Sequence, residues 1–123
     1  TDITIVALAL MVPRAMAAAD RLAEQGISAE VIDLRTLVPL DTQTVLHSVE
    51  RTGRLATVEE NPRLCGWGAE IASLVAHEAF WNLDAPIVRI TTPHIPLPAA
   101  NNLEDATIPS VDTIVDTIGS AWA

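Results

Sequence analysis

One strand and the start of the next helix are encoded in the stretch Val31-Ile32-Asp33-Leu34-Arg35-Thr36-Leu37-Val38-Pro39-Leu40-Asp41. Its apolar beginning is typical of a buried strand, and charged side chains follow where that strand would end. Pro39 interrupts the pattern. Asp41 is placed to cap a following helix, because its carboxylate can accept hydrogen bonds from free backbone N–H groups. The stretch therefore predicts a strand–turn–helix unit of an α/β protein.

The same alternation of strand and helix continues on both sides of this stretch. Apolar runs predict strands at residues 3–10, 29–34, 55–58 and 87–90. Helices are predicted to begin near Pro13, Asp41, Trp67 and Ser110. Strands joined by crossover helices pair in parallel. The sequence therefore predicts a three-layer α/β/α sandwich with a mostly parallel sheet of about five strands. The fifth strand is expected in the proline-rich segment or before Ile3.

That proline-rich segment spans residues 91–109 and holds Pro93, Pro96, Pro98 and Pro109. Proline lacks the backbone N–H group that helices and central strands require. We therefore expect an ordered extended loop there, with neither helix nor central strand.

Length and composition limit the classes of protein that this chain can represent. Its 123 residues suit one domain, residues 1–123, and the opening Thr1 suggests a fragment of a longer chain. The longest apolar run, from Ile5 to Val12, is far shorter than the ~20 residues that cross a bilayer, so no membrane association is expected. The net charge of −9 disfavours nucleic acid and favours a basic protein partner. The single cysteine, Cys65, is compatible with an intracellular location.

The polar residues do not predict a self-contained active site. His47, His77 and His94 are too far apart in sequence for a recognisable metal motif, so no metal site is predicted. No serine lies in a nucleophile-elbow motif, and Cys65 has no histidine nearby in sequence. The sequence therefore predicts no catalytic residue and no cofactor-binding residue in this chain.

Two short motifs near the third predicted strand have a structural and a functional interpretation. Gly66-Trp67-Gly68 could present N–H groups to an anion at a helix start, but a structural turn that allows close packing is favoured. Glu59-Glu60 could supply acid–base chemistry, but adjacent strand residues point to opposite faces. Loop hydrogen bonding or contact with a partner subunit is favoured for the pair.

Six motifs in the same order closely resemble the carboxyl-terminal, transketolase-like domain of E1 beta subunits in thiamine-diphosphate-dependent 2-oxoacid dehydrogenases. They are Met11-Val12-Pro13-Arg14-Ala15, the segment from Asp33 to Asp41, Thr52-Gly53-Arg54-Leu55 with Glu59-Glu60-Asn61-Pro62-Arg63, Gly66-Trp67-Gly68-Ala69-Glu70-Ile71, Asp84-Ala85-Pro86-Ile87-Val88-Arg89, and Pro96-Leu97-Pro98 with Asn102-Leu103-Glu104. The chain departs from the family at Ala9-Leu10, where Gly-Ser is frequent, and at His94, which replaces an acidic residue. The substrate therefore stays open between pyruvate, a branched-chain oxoacid and acetoin.

The resemblance implies an assembly domain rather than a catalytic one. The full enzyme would decarboxylate a 2-oxoacid and pass the acyl group to the lipoyl group of an E2 acyltransferase. Thiamine diphosphate and magnesium would be held by other domains, and the isolated domain would be inactive. The implied partners are the E1 alpha subunit or preceding domains, a second beta subunit and the E2 subunit-binding domain. The location would be the cytoplasm of a bacterium or the mitochondrial matrix of a eukaryote.

The resemblance also suggests roles for particular residues. A subunit interface is expected to include Glu59, Glu60, Arg63, Trp67 and Glu70. Contact with E2 is expected at Trp122 and Ala123, whereas Asp33, Arg35 and Asp41 belong to a structural motif. The alternatives are a carboxyl-terminal domain of a transketolase or a 1-deoxyxylulose-5-phosphate synthase, and a stand-alone α/β binding module.

Overall fold

A single parallel sheet organises the chain in the computed structural model, which describes residues 2–95 and 100–122. Its strands are β1 (Ile3–Ala7), β2 (Ala29–Asp33), β3 (Leu55–Pro62) and β4 (Val88–Thr92), in the spatial order β2-β1-β3-β4. Every neighbouring pair is parallel. The described residues thus contain four strands, and the fifth strand expected from the sequence is not among them.

Helices cover both faces of this sheet. On one face, α1 (Met11–Glu24) and α5 (Val111–Trp122) pack over side chains such as Ile5 and Val58. On the other face, α2 (Thr42–Thr52) and α3 (Trp67–Glu78) enclose Val6 and Leu55. The predicted three-layer α/β/α sandwich is therefore confirmed. No helix within residues 2–95 and 100–122 is both long enough and apolar enough to span a membrane.

The central strand β1 shows why the sequence folds this way. All five of its residues are buried, as expected for a strand that is covered on both faces. Its one polar side chain, Thr4, is satisfied by α2, because its hydroxyl lies 2.7 Å from Ser48 Oγ and 2.8 Å from Thr52 Oγ1. A buried hydroxyl without such partners would be costly.

Local capping sets the bounds of α2. The Thr44 amide donates to Asp41 Oδ1 at 3.1 Å, and the Thr44 hydroxyl donates to Asp41 Oδ2 at 2.6 Å. These bonds lower the pKa of Asp41, the hydroxyl bond most strongly. The helix ends at Gly53, whose φ of 71° lies in the left-handed region that glycine adopts without steric cost.

The structure corrects three local predictions. Residues Asn101–Thr107 form a short helix, α4, within the segment predicted to be an extended loop. The run between Pro98 and Pro109 lacks proline, so nothing removes its backbone donors. Strand β3 continues through Glu59–Pro62, predicted to be loop, by way of a register irregularity after Val58. The sequence pattern predicts Phe80 on the same helix as Ile71, but Phe80 lies outside α3, in the short 3₁₀ turn Phe80–Asn82.

Residues 96–99, together with Thr1 and Ala123, lie outside the described part of the chain. The Pro96-Leu97-Pro98 motif and the expected E2 contact at Ala123 therefore have no structural description. The side chains of Glu104 and Asp105 lie outside it as well.

Candidate interaction surface

A fully buried carboxylate lies near the carboxyl end of β3. The side chain of Glu59 has no exposed surface. Its Oε1 accepts a hydrogen bond from Arg89 Nη2 at 2.8 Å, and its Oε2 accepts one from Asn61 Nδ2 at 2.7 Å. A buried charge is tolerated only with such partners. Glu59 therefore links β3 to Arg89 of β4 and fixes the chain that follows it.

The glycines of Gly66-Trp67-Gly68 make room for this carboxylate. A Cβ atom added at Gly66 would lie 2.1 Å from Glu59 Oε2, and one added at Gly68 would lie 2.2 Å from Glu59 Oε1. No real side chain tolerates such distances. The amino end of a helix favours negative charge, and here an internal carboxylate lies beside it. This geometry supports the structural interpretation of the motif rather than binding of an external anion.

Two arginines hold the loop after β3 against β4. Arg63 Nη2 donates to the carbonyl oxygen of Arg89 at 2.7 Å, and Arg89 Nη2 donates to the carbonyl oxygen of Arg63 at 2.8 Å. The Gly66 amide then donates to the same Arg63 carbonyl at 3.2 Å. The loop is therefore held to β4 at Arg63 and closed by the bond between Gly66 and Arg63.

The segment from Glu60 to Glu70 presents four of the five predicted interface residues. Glu60 and Trp67 are half-buried, whereas Arg63 and Glu70 are exposed. The Trp67 side chain packs against the core between the sheet and the helices α2 and α3. Glu59 lies beneath this segment, so its contribution to any interface would be to position the residues above it. We call residues 60–70 the β3–α3 surface.

Backbone strain occurs in three loops at the carboxyl ends of the strands. Ala9, Arg35 and Cys65 have φ values of 53°, 62° and 59°, which are uncommon for residues other than glycine. Each of the three follows a different strand, namely β1, β2 and β3. Such strain is often found at functional sites. Sequence analysis missed it because none of these residues is a glycine that would indicate a positive φ.

The same loops expose large apolar side chains. Leu10 is 45% exposed, Val38 is 89% exposed and Leu64 is 69% exposed. The carboxyl ends of parallel strands lie at one edge of a sheet, and in open α/β sheets ligands bind at that edge. The β3–α3 surface therefore belongs to the edge where strain and exposed apolar side chains occur together.

The structural motif after β2 is local. The Arg35 amide donates to Asp33 Oδ1 at 3.0 Å, and Arg35 Nε lies 3.6 Å from Asp33 Oδ2. The Arg35 side chain is 85% exposed, so this pair shapes the turn and contributes little Coulomb energy.

Trp122, the predicted E2 contact, lies away from the β3–α3 surface. It is half-buried at the end of α5, where it lines a cavity with Ile3 and Leu55, the first residues of β1 and β3. The amino ends of the strands form this edge of the sheet. The two predicted contact regions are therefore separate.

The histidines do not form a site. His47, His77 and His94 are all exposed. Within the described residues, no three His, Cys, Asp or Glu side chains are grouped so that they could hold a metal ion.

Comparison with known proteins identifies the relatives of this chain. Residues 1–114 match the family described as "Transketolase, C-terminal domain". The beta subunit of the mitochondrial pyruvate dehydrogenase E1 component from Dictyostelium discoideum is 47% identical, over 94% of this chain and 32% of the relative. The beta subunit of acetoin:2,6-dichlorophenolindophenol oxidoreductase from Cupriavidus necator is 50% identical, over 92% of this chain and 33% of the relative.

A solved structure agrees with these sequence matches. The chain superposes on "Split gene transketolase, inactive beta4 tetramer" with a TM-score of 0.80 and 28% identity, covering 98% of this chain and 38% of that one. The chain also spans about a third of the length of the curated relatives that it matches.

Proposed function

Because the chain belongs to the transketolase C-terminal domain family, we propose that it is the carboxyl-terminal domain of the E1 beta subunit of a 2-oxoacid dehydrogenase. The observation that carries this proposal is identity over nearly the whole chain, 47% to a pyruvate dehydrogenase E1 beta subunit and 50% to the beta subunit of an acetoin oxidoreductase. The complete enzyme would catalyse oxidative decarboxylation of a 2-oxoacid with acyl transfer to lipoyl-E2. Its location would be the bacterial cytoplasm or the mitochondrial matrix.

In this proposal the domain takes no part in the chemical step. Thiamine diphosphate and magnesium belong to other domains of the enzyme. The described residues are a poor fit to a magnesium diphosphate: they offer no acidic cluster for the metal, and the Glu59 carboxylate lies against the Gly66-Trp67-Gly68 helix start. A second anion there would be repelled.

The role of the domain is assembly of the subunits. The β3–α3 surface contacts the second beta subunit through Glu60, Arg63, Trp67 and Glu70. Its support is the rigid hold on Arg63 and the half-exposed Trp67, since tryptophan and arginine dominate interface energies. Rigidity matters because less conformational entropy is lost when an ordered loop binds.

Two further partners belong to the proposal. The E1 alpha subunit completes the catalytic unit. The basic subunit-binding domain of E2 contacts Trp122 and Ala123, and the net charge of −9 would accelerate that encounter.

Activity of the assembled enzyme tests the proposed reaction. The complete reading frame is co-expressed with its alpha subunit, and substrate consumption dependent on thiamine diphosphate is measured with pyruvate, branched-chain 2-oxoacids and acetoin. The 123-residue chain alone is the control, and we expect it to be inactive. No turnover of any of these substrates by the complex would refute the proposal.

Charge reversal on α3 tests the proposed interface. Glu70 lies in the first turn of α3 and Glu78 at its last residue, and both are exposed. We expect Glu70→Arg to weaken beta–beta association about tenfold, a typical effect for one interface charge, as measured by sedimentation of the assembled enzyme. Glu78→Arg is the matched control and should leave association unchanged. Equal effects of the two substitutions would exclude the β3–α3 surface.

A further inference from the structure

A small apolar cavity lies at the amino edge of the sheet, opposite the β3–α3 surface. Its volume is about 180 Å³. It is lined by Ile3, Arg54, Leu55, Ala85, Pro86, Val88, Ala121 and Trp122. The walls are almost entirely apolar, and the side chain of Arg54 is the only charged group among them.

Arg54 has unusual surroundings for a cation in so acidic a chain. Its guanidinium carbon lies 3.9 Å from the centre of the Trp122 ring, a cation–π contact. The residue is half-buried. Acidic residues outnumber lysine and arginine by 16 to 7, yet no carboxylate among the described residues pairs with this guanidinium. Arg21, Arg51 and Arg89 each have such a partner.

We propose that this cavity binds a small monocarboxylate with an apolar body. The apolar body fills the cavity, and the carboxylate accepts hydrogen bonds from Arg54. A guanidinium can stack on an aromatic ring with one face and still bind a carboxylate through its edge. The ion pair gains strength because the residue is partly shielded from water.

The size of the cavity limits the ligand. An engineered apolar cavity of about 150 Å³ binds benzene, so the slightly larger cavity here fits a six-membered ring or a short branched chain. A nucleotide or a coenzyme thioester is too large. A dianion would lack a second cation, because Arg54 is the only cationic residue among the described residues that line the cavity.

The site is independent of the proposed beta–beta interface, but it shares Trp122 with the proposed E2 contact. It lies at the other edge of the sheet from the β3–α3 surface and requires no partner subunit. Its test therefore uses the 123-residue chain, and its outcome does not depend on whether the longer enzyme is active.

Titration with phenylacetate, followed by NMR, tests the proposal. The chain has three tryptophans, each with one indole N–H signal, and Trp122→Phe identifies the signal of Trp122. We expect phenylacetate to shift the Trp122 signal in a saturable way and to leave the signal of Trp81, which is 93% exposed, in place. Benzyl alcohol, which is neutral, should bind at least about tenfold more weakly. Equal binding of both probes would overturn the ion-pair assignment.

Variants distinguish the contribution of the Arg54 charge to phenylacetate binding from the contribution of the cavity itself. Arg54→Met keeps an apolar stem on the Trp122 ring and should weaken phenylacetate binding about tenfold, whereas Arg54→Lys should retain the preference for the acid. Arg35→Met removes an exposed arginine away from the cavity and serves as the control. Ala85→Leu extends a side chain of the cavity wall and should abolish binding. Unchanged binding in Arg54→Met or in Ala85→Leu, with native circular dichroism, would refute the site.

Discussion

Replacement of Gly68 by alanine tests the close packing of α3 against β3. An alanine Cβ there would lie 2.2 Å from Glu59 Oε1 and 2.7 Å from Thr57 Oγ1. The carboxylate would have to move by roughly 1 Å or more to restore normal contact distances. It is fully buried and held by Arg89 and Asn61 at 2.8 and 2.7 Å. The movement therefore breaks at least one of these bonds.

The expected loss of stability follows from disruption of the buried ion pair between Glu59 and Arg89. Breaking a buried ion pair and leaving a charge uncompensated typically costs about 3–5 kcal/mol. The helix regains up to about 1 kcal/mol when alanine replaces glycine. We therefore expect Gly68→Ala to lower the free energy of unfolding by about 2–4 kcal/mol, and the melting temperature by roughly 10 °C for a domain of this size.

Urea denaturation followed by far-ultraviolet circular dichroism measures the effect. Gly119→Ala is the matched control, because its added Cβ would meet only Gln25 Oε1 at 3.9 Å. This control should stabilise α5 by about 0.5–1 kcal/mol. In a Glu59→Ala background the cost of Gly68→Ala should shrink, because the obstructing carboxylate is gone. The reasoning fails if Gly68→Ala is tolerated as well as Gly119→Ala.

The other predictions concern capping, charge and turns. Asp41→Ala should lower the melting temperature at pH 7 more than Asp41→Asn, which still caps α2. Hydrogen bonding lowers the pKa of Asp41 in the folded state. The stability that ionised Asp41 contributes is therefore present above the unfolded pKa of about 3.9 and is lost as the pH falls through the lower folded value. Melting curves of wild type and Asp41→Ala should converge in acid. The hydrogen bond from Arg51 holds the pKa of Glu30 below its ordinary value, so Arg51→Met should raise that pKa in an NMR titration. The variant should also lose less folding stability than wild type when the pH falls below about 4.3. Gly26 and Gly53 have φ values of 81° and 71°, so alanine at either position should lower the free energy of unfolding by about 1–2 kcal/mol, as measured by thermal unfolding. Gly53→Ala should cost more than Gly26→Ala, because Asp84 Oδ2 lies 2.3 Å from the added Cβ. Equal costs of the two substitutions would contradict this.

Local patterns were sufficient to predict most of the fold. The buried face of α1 is an exception: the spacing of Met16, Ala19, Leu22 and Ala23 predicts one face, but the structure buries Met11, Ala15, Ala18 and Leu22, and Met16 is 50% exposed. Capping by Asp41 and termination at Gly53 depend on neighbouring residues alone. The parallel arrangement followed from the alternation of strands and helices, because parallel strands need long connections. The family resemblance seen in the motifs is confirmed by the match over residues 1–114.

The errors occurred where the surroundings decide the conformation. Residues Asn101–Thr107 are helical although prolines flank the region, because prolines restrict only their own positions and the residues before them. Glu59 is part of β3 because its carboxylate has partners in Arg89 and Asn61. A charged residue at the end of an apolar run otherwise predicts a loop.

The membership of the β3–α3 surface in a subunit interface stays a prediction. Sequence reasoning could assign Glu60, Arg63, Trp67 and Glu70 to one surface only because these residues are close together along the chain. The strained residues Ala9, Arg35 and Cys65 lie far apart in sequence, and only the sheet brings their loops to one edge.

By itself, the sequence determined the order and type of the main elements, the parallel α/β architecture and the family. These properties arise from periodicity, capping and chain connectivity, which act over a few residues. The tertiary structure decided that Glu59 is buried beneath Gly66 and Gly68. It also decided that Arg54 stacks on Trp122 in the wall of an apolar cavity, without a carboxylate partner among the described residues. Burial and pairing are properties of residues brought together from distant parts of the chain, so no local pattern could show them.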